Sequence, residues 1–506
     1  MKTVTEIVTW LNTPGHIKCV LADITEVGNS AVSSFFLSNV AYFGDNQNYN
    51  AAITGGLSFS ESLNVDGQAS LSFGSLEIVN TNGIHDAYLT YVWNKRPIKV
   101  YLGDPSWPKS DFVLIFDGLI QEITAPNENA LSFTLFDKLQ RLNDPISERT
   151  LTTLGTAREA AGLTAYSETT LSNVLPLLFG EAFNIQPLLI DKGSGVTGYV
   201  YMVHDGAMNG IIEVRDNGVP VTVTEGPSTG TFTLIKNPVG TITCSAQGRT
   251  PYTNTVAGII TQLVTNYGTT ANRFTTGEVS FGDFTNTSAV GFYCNDRTNI
   301  LDACNQLAKS VSANLICPSI VVSNGVVSTS KLRLVEIKAP AGTPKYYLND
   351  DNMILNSLSI QQMFAVKPSI KLGYGKNYTN QTTVSGGVNP QSRFDEPYLY
   401  TTKENSAKKT LYRDSGTVAE EETLLLVTSE AEAEAVKRLT LWEKQRYVVT
   451  AEYLPHLMFV QLGDIVRVKS ARFGLTTQEL PDGTLGMVYS VTRNWTTGIV
   501  SIGVLV

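Results

Sequence analysis

The stretch FVLIFDGLIQEIT (112–124), followed across Ala125 by PNEN (126–129) and ALSFTLF (130–136), reads as a β-hairpin. Leu131, Phe133 and Leu135 alternate with polar residues, which is the period-two pattern of a strand with one buried face. The turn between the two runs is polar and proline-containing, as turn chemistry requires. A short helix, DKLQRL (137–142), closes the block before Asn143-Asp144-Pro145.

Working outward, the first 145 residues are β-rich. Ile17–Val27, Ser34–Phe43 and Ile98–Leu102 are strand-like. Leu57, Phe59 and Leu63, then Leu71, Phe73, Leu76 and Ile78, recur near period two around a turn at Asp66-Gly67. Residues 146–198 are mixed. IIEV (211–214) and VPVTVT (219–224) flank Arg215-Asp216-Asn217-Gly218, and Asn-Gly suits the positive-φ positions of a hairpin turn. Two amphipathic helices follow. One carries Val256, Ile259, Ile260, Leu263, Val264 and Tyr267, with Gly268 as its C-terminal stop. The other carries Ile300, Ala303, Cys304, Leu307, Ala308 and Val311, with Asp296 or Thr298 as its cap. The hairpin ANLICPSIVV–SNG–VVSTSKLRLVEI comes next. Residues 375–416 are polar and weakly patterned, and read as a loop or arm. A helix over 429–444 is expected from Ala431, Ala435, Leu439 and Trp442, with Ser429 and Glu432 as a capping box. Glu430, Glu432 and Glu434 lie early in it and Lys437, Arg438 and Lys444 late, matching the helix dipole. The chain ends in strands: RYVVTAEY, GDIVRVKS, LGMVYSVT and GIVSIGVLV.

The chain has 506 residues, 42% of them hydrophobic, enough for roughly three or four domains. Charged residues are 16%, against roughly 25% in an average domain, and Thr, Ser, Asn and Gly fill the gap. That composition argues against a coiled coil or a helical repeat. The formal charge of -9 argues against nucleic-acid binding through a general basic surface. No stretch approaches the ~20 apolar residues of a membrane span. In MKTVTEIVTWLNTPG, Glu6 interrupts the apolar run and no small-residue cleavage site follows, so a signal peptide is not expected and synthesis in the cytoplasm without general secretory export is. Cys19, Cys244, Cys294, Cys304 and Cys317 show no paired spacing, so buried, reduced thiols are expected.

The β-rich ends echo one another. GLIQEIT (118–124) leads through a turn to Leu131, and GMVYSVT (486–492) leads through WTTG (495–498) to Ile499, with the residue numbers 368 apart. Two readings fit: the general likeness of any two hairpins, or a duplicated β-domain.

Sequence motifs for chemistry fail on context. GSGVTG, with Gly193, Gly195 and Gly198, matches G-x-G-x-x-G, but the fingerprint needs a helix opening after it, and GYVYMVHDG reads as a strand. Gly373-Tyr374-Gly375-Lys376 lacks the earlier glycine of a P-loop, and Asn377 replaces its Ser or Thr. His85-Asp86 and His204-Asp205 are neighbours whose side chains point to opposite faces of a strand, a poor arrangement for a base and its orienting acid; His16 and His456 stand apart. Asp350-Asp351 lacks the alternating acids of a calcium loop. Nothing sets Glu122 and Glu128 at the separation that glycoside hydrolysis needs. No enzyme activity, cofactor, metal or catalytic residue is expected.

The order of segments resembles the tail tip (baseplate) hub proteins of tailed bacteriophages, chiefly the long-tailed non-contractile kind. The resemblance is carried by HIKCVLADI (16–24), LSFSESLNVDGQASLSFGSLEIVNTNGIHDAYLTYVWNKRPIKVYLGD (57–104), the deciding hairpin with its helix, PLLFGEAFNIQPLLID (176–191), YMVHDGAMNGIIEVRDNGVPV (201–221), IKLGYGKNYT (370–379), TSEAEAEAVKRLTLWEKQRYVVTAEY (428–453) and LGDIVRVKSARFGL (462–475). It spans nearly the whole chain, matches least well over 375–416, and carries over no catalytic residue.

The resemblance implies a mainly β, multidomain fold with minor α content: two tail-tube-like β-barrel domains plus smaller β and α/β domains. The divisions expected are 1–146, the first barrel; 147–250, a linker and small β insertion; 251–365, a mixed α/β domain; and 366–506, the arm, the 429–444 helix and a second barrel that may draw strands from 313–375. It further implies a homotrimer in the virion, assembled in the host cytoplasm. That trimer would adapt a six-fold tail tube to three-fold tip parts and line or close the DNA exit channel during DNA ejection and host cell entry. Its implied partners are the distal tail protein, the tail tube, the tape measure protein and a central fibre, with phage DNA passing without sequence recognition. The 21 Tyr on a β-rich body leave a receptor- or carbohydrate-binding tail adhesin as the alternative.

Overall fold

The computed structural model describes residues 2–506 except 28–32, 56, 66–72, 155–171, 192–197, 324, 385–391 and 414–417. Asp66-Gly67, Gly193 and Gly195 lie outside the described residues.

The deciding hairpin forms as Val113–Asn127 and Ala130–Phe136, with Phe133 opposite Ile123. Leu131, Phe133 and Leu135 have no exposed surface. Across the chain, strands hold 43% of the residues and helices 18%, so the fold is mainly β with minor α. The largest sheet has 16 strands and contains both ends of the chain. From one edge it runs through Ser359–Phe364, Arg446–Tyr453, Ile499–Leu505, Thr484–Asn494, Ser58–Ser62, Phe73–Val79, Ala130–Phe136, Val113–Asn127, Arg96–Gly103 and Cys19–Val27, and on to residues 33–51.

No sheet closes on itself among the described residues. The two expected units are joined edge to edge. A strand has two edges, and those of strand 58–62 are held by strand 73–79 on one side and strand 484–494 on the other. In the first unit residues 47–55 bridge strands 33–38 and 73–79, the Ala52 N–H donating to the Ser38 carbonyl and the Ala52 carbonyl accepting from the Val79 N–H, both at 2.8 Å. One hydrophobic core runs under both units, from Ile24, Phe59 and Phe133 to Val449, Val491 and Ile502.

Between them lie smaller bodies. Ile242–Arg249 is the central strand of a five-stranded sheet, flanked by Leu177–Ile185 and by Met208–Asp216, which turns at Asn217 (φ 51°) and Gly218 (φ 83°) into Val219–Val221, the expected hairpin. The helices are Val256–Asn266, capped by Thr255, and Ile300–Lys309. Their apolar stripes share a core with helix Thr428–Trp442. Gly268 adopts φ +74° just past the first helix, as a C-terminal stop requires.

Three local expectations need correction. Helix 300–309 is preceded by Asn299 without a side-chain cap; the Asp296 carboxylate instead accepts from the Thr298 backbone. Helix 428–442 starts after Val427, also uncapped by a side chain, so the Ser429–Glu432 box does not form; Glu430 reaches away and accepts from the Ala289 N–H at 2.8 Å. Residues 375–416 are not simply an arm. Leu399–Glu404 pairs antiparallel with Ser369–Tyr374, and short helices occupy Ser392–Asp395 and Ser406–Leu411. Polar strands such as LYTTKE have one solvated face and little apolar alternation, which hid this one.

Candidate assembly interface

The echo between the ends is a repeat in three dimensions. In the first unit Ile98 pairs with Gly118; in the second Val466 pairs with Gly486. Both residues of the second pair lie 368 beyond those of the first. The hairpin that follows carries a bulge in each unit. Glu122 and Ile120 pair with consecutive residues Thr134 and Leu135, leaving Gln121 unpaired. Ser490 and Val488 pair with consecutive residues Gly503 and Val504, so Tyr489 is the bulged residue, its carbonyl accepting instead from the Leu63 N–H. Gln121 and Tyr489 are again 368 apart. General hairpin likeness does not require a shared third strand or a shared bulge.

The glycines explain part of this. A Cβ on Gly118 would lie 2.3 Å from the Phe136 carbonyl oxygen; one on Gly486 would lie 2.2 Å from Val504 Cγ1 and 3.0 Å from the Leu505 carbonyl oxygen. The close approach of the partner strand demands glycine at both places. Beyond the hairpin, strand 130–136 pairs with 73–79, and that with 58–62. In the second unit, strand 499–505 pairs with 446–453, and that with 359–364. Each unit is thus five strands in the same order. On the other flank the repeat ends: strand 19–27 lies antiparallel on 96–103, whereas Tyr346–Asn349 lies parallel on Ile465–Lys469.

The two units meet where strand 58–62 pairs with residues 490–494, Glu61 opposite Val491 and Phe59 opposite Arg493. An ion pair is sealed into this seam. Arg493 Nη1 donates to Glu61 Oε2 at 3.0 Å, with 1% of each side chain exposed. Arg493 also donates to the Met458 and Val460 carbonyls at 2.8 and 2.6 Å, and Glu61 accepts from the Ser319 N–H at 2.6 Å. Every charge is matched, and removing either partner leaves a bare ion in the core. Glu61 and Arg493 are 432 positions apart, so no sequence pattern singles them out. A second buried pair, Glu434–Arg438 at 2.8 Å, sits on helix 428–442, and Arg438 reaches Glu421 as well. Burial opposes the Arg438 charge, but the carboxylates of Glu434 and Glu421 outweigh it and hold its pKa up. The sequence sets Glu434 and Arg438 along the helix as charges matching its dipole; their burial as a pair comes only with the fold.

The chemistry-bearing residues do not converge. His204 is fully buried; its Nδ1 accepts from the Leu178 N–H at 3.0 Å, and burial with Arg249 nearby pulls its pKa to about 4. Asp205 binds Arg149 instead. His85 is buried against Tyr88, which lowers its pKa, while Asp86 accepts from Asn80. His16 lies beside Asp104 and His456 in the turn Pro455–Leu457. Asp351 accepts from Asn349. Glu122 and Glu128 are exposed on and after strand 113–127. Gly198, at φ +81°, precedes the strand Tyr199–Met202, and Gly373 to Tyr374 end strand 369–374. All five cysteines are buried and free, and burial pushes the Cys19 and Cys294 thiols to about 12. A cleft of ≈ 530 Å³ is lined by Asp144, Arg149, Asp205, Arg249 and Tyr267. Its charges bind one another or the frame: Asp144 accepts from Thr269, Asn272 and Lys95, which outweighs its burial and holds its pKa near 2. Among the described residues no group of three His, Cys, Asp or Glu is placed to hold a metal, and no helix is long and apolar enough to cross a membrane.

No family model and no curated protein matches the chain. Among solved structures, it is similar to the 43 kDa tail protein of prophage MuSo2 from Shewanella oneidensis, at 10% identity and TM-score 0.37 over 96% of this chain and 98% of that one. It is similar to the prophage tail protein gp18 of Listeria monocytogenes, at 8% identity and TM-score 0.41 over 96% and 94%. It is also similar to the E. coli c3393 protein, a type VI secretion component, at 7% identity and TM-score 0.33 over 89% and 75%. With TM-scores this low these likenesses carry no weight for the function of this chain.

Proposed function

We propose that the chain is a structural subunit of a phage tail tip: a hub that assembles as a homotrimer beneath the tail tube and performs no chemistry. The observation that carries this reading is the repeat of five strands joined in one sheet. A chain with two like units lets three copies present six similar faces, which is what a three-fold part needs in order to meet a six-fold tube. The buried Glu61–Arg493 pair supports it by tying the two units into one building block. In this reading the hub belongs to the virion. It is flanked by tail tube and distal tail proteins on one side and fibre components on the other, with the tape measure protein and DNA passing through its centre. A net charge of -9 suits a lumen to which phosphates do not adhere. Sedimentation of the purified protein at high concentration tests the reading. A discrete species of three chains is expected; a monomer or a two-fold dimer across the concentration range would overturn it.

A further inference from the structure

The repeat contains one unmatched contact. Residues 490–494 of strand 484–494 are covered by strand 58–62. The corresponding residues of the first unit, 368 earlier, are 122–126. There strand 113–127 pairs with strand 96–103 only as far as Ile120, and no described strand lies beyond that point on the same edge. Gln121, Glu122, Thr124, Ala125, Pro126 and Asn127 are exposed. Ile123, the counterpart of the fully buried Val491, is only partly covered.

The strand that should cover this edge also exists. The counterpart of strand 58–62 is strand 359–364, the last strand at its end of the large sheet. One edge is held by strand 446–453, and the other has no partner among the described residues. Its sequence, SIQQMF, has no charge and no proline, the devices that normally protect an edge from strand addition. Ile360 and Met363 stand 37% and 64% exposed on it. Within one chain the two edges belong to different units and do not meet, so the occupant of each is a second copy.

We propose that strand 359–364 of one copy adds antiparallel to residues 122–126 of the next, repeating between chains the contact that strand 58–62 makes with 490–494 within the chain. The register follows from the repeat. Gly74 and Phe73 pair with Phe59 and Ser60, and their counterparts Val449 and Val448 pair with Ile360 and Gln362. Glu61 therefore maps to Met363, and Val491 to Ile123. Met363 of one copy faces Ile123 of the next, with Gln362 opposite Thr124 and Phe364 opposite Glu122. The contact is head-to-tail, so each copy offers one edge of each kind, and assembly continues until the rotation closes a ring. Main-chain hydrogen bonds supply the attraction and the Met363–Ile123 contact sets the register. The pairing rests on the repeat; closure at three copies rests on the hub reading.

The test is disulfide trapping with Ile123→Cys and Met363→Cys, singly and together, on the full chain under mild oxidation. The double variant is expected to give chain-to-chain links in a ladder that ends at three. The two single variants mixed are expected to give linked pairs only, and each alone none. Met363→Lys, at a site exposed in the lone chain, is expected to abolish assembly while leaving the melting of that chain unchanged. Efficient linkage of Met363→Cys alone would mean that like edges meet and would overturn the proposal. A trimer with no 123–363 link, or one that Met363→Lys leaves intact, would overturn the pairing but not the hub reading. Neither link nor assembly at high concentration would overturn both.

Discussion

At the residue scale, several positions have no room to change. Gly118 and Gly486 sit under the carbonyls of their hairpin partners. Alanine at either is expected to destabilise by about 1–3 kcal/mol, the usual cost of overpacking, read as a lower denaturant midpoint with an unchanged slope. Similar losses at both would mark them as the same position in two units. Arg493→Met is expected to cost about 3–5 kcal/mol, because Glu61 is left buried and unpaired. Adding Glu61→Gln should restore much of that loss; a double variant no better than the single would contradict the pairing argument. His204 gives a pH signature. Its folded pKa, about 4, lies below the ordinary value near 6.5, so the unfolded chain takes up the proton first as pH falls. The contribution, on the order of 3 kcal/mol, is fully present above pH ~6.5, where both states are neutral, and drains away as pH falls toward 4. Stability measured across that window should fall, and His204→Gln should flatten the slope. None of these roles was legible from single residues. Glycines in strands are common, and Glu61 and Arg493 meet only through the fold. The strand geometry expected at the two His-Asp neighbours does not form: His85 precedes the short helical turn Asp86–Thr90, and His204 with Asp205 lies in a bend after strand 199–202, so the depth of His204 comes only with packing.

At the scale of elements, patterned segments were legible and polar ones were not. The 112–136 hairpin, the Asn217-Gly218 turn and the 256–266 stripe carry strong local signals, and each forms. Strand 399–404 and the helix Val4–Asn12, which Thr3 and Glu6 cap, went unread. The helix is short, and Glu6, which breaks the apolar run of a signal peptide, is also part of its capping box. Cap assignment also needed the structure, since Ser429 with Glu432 fits the capping pattern yet the helix begins without it. Ser429→Ala is accordingly expected to change stability by less than about 0.5 kcal/mol. Thr255→Ala, which removes the bond to the Gly258 N–H, should cost about 1 kcal/mol. Equal effects in thermal melts would contradict the cap assignments.

At the scale of the whole molecule, the two units matter more than any pocket. Their likeness was legible as an offset of 368 between two hairpins, but only pairing across the sheet extended it to five strands and exposed one covered and one bare edge. Strand pairing between distant segments leaves no local trace, so the seam was beyond sequence reasoning even where its strands were not. Image reconstruction of the assembled protein by electron cryo-microscopy would show the arrangement of the two units outright. A ring of three chains with six like sheets is expected, in which seams of 58–62 on 490–494 alternate with seams of 359–364 on 122–126. A particle whose two units per chain are unrelated by rotation about its axis, or in which both strand edges stay bare, would contradict that arrangement.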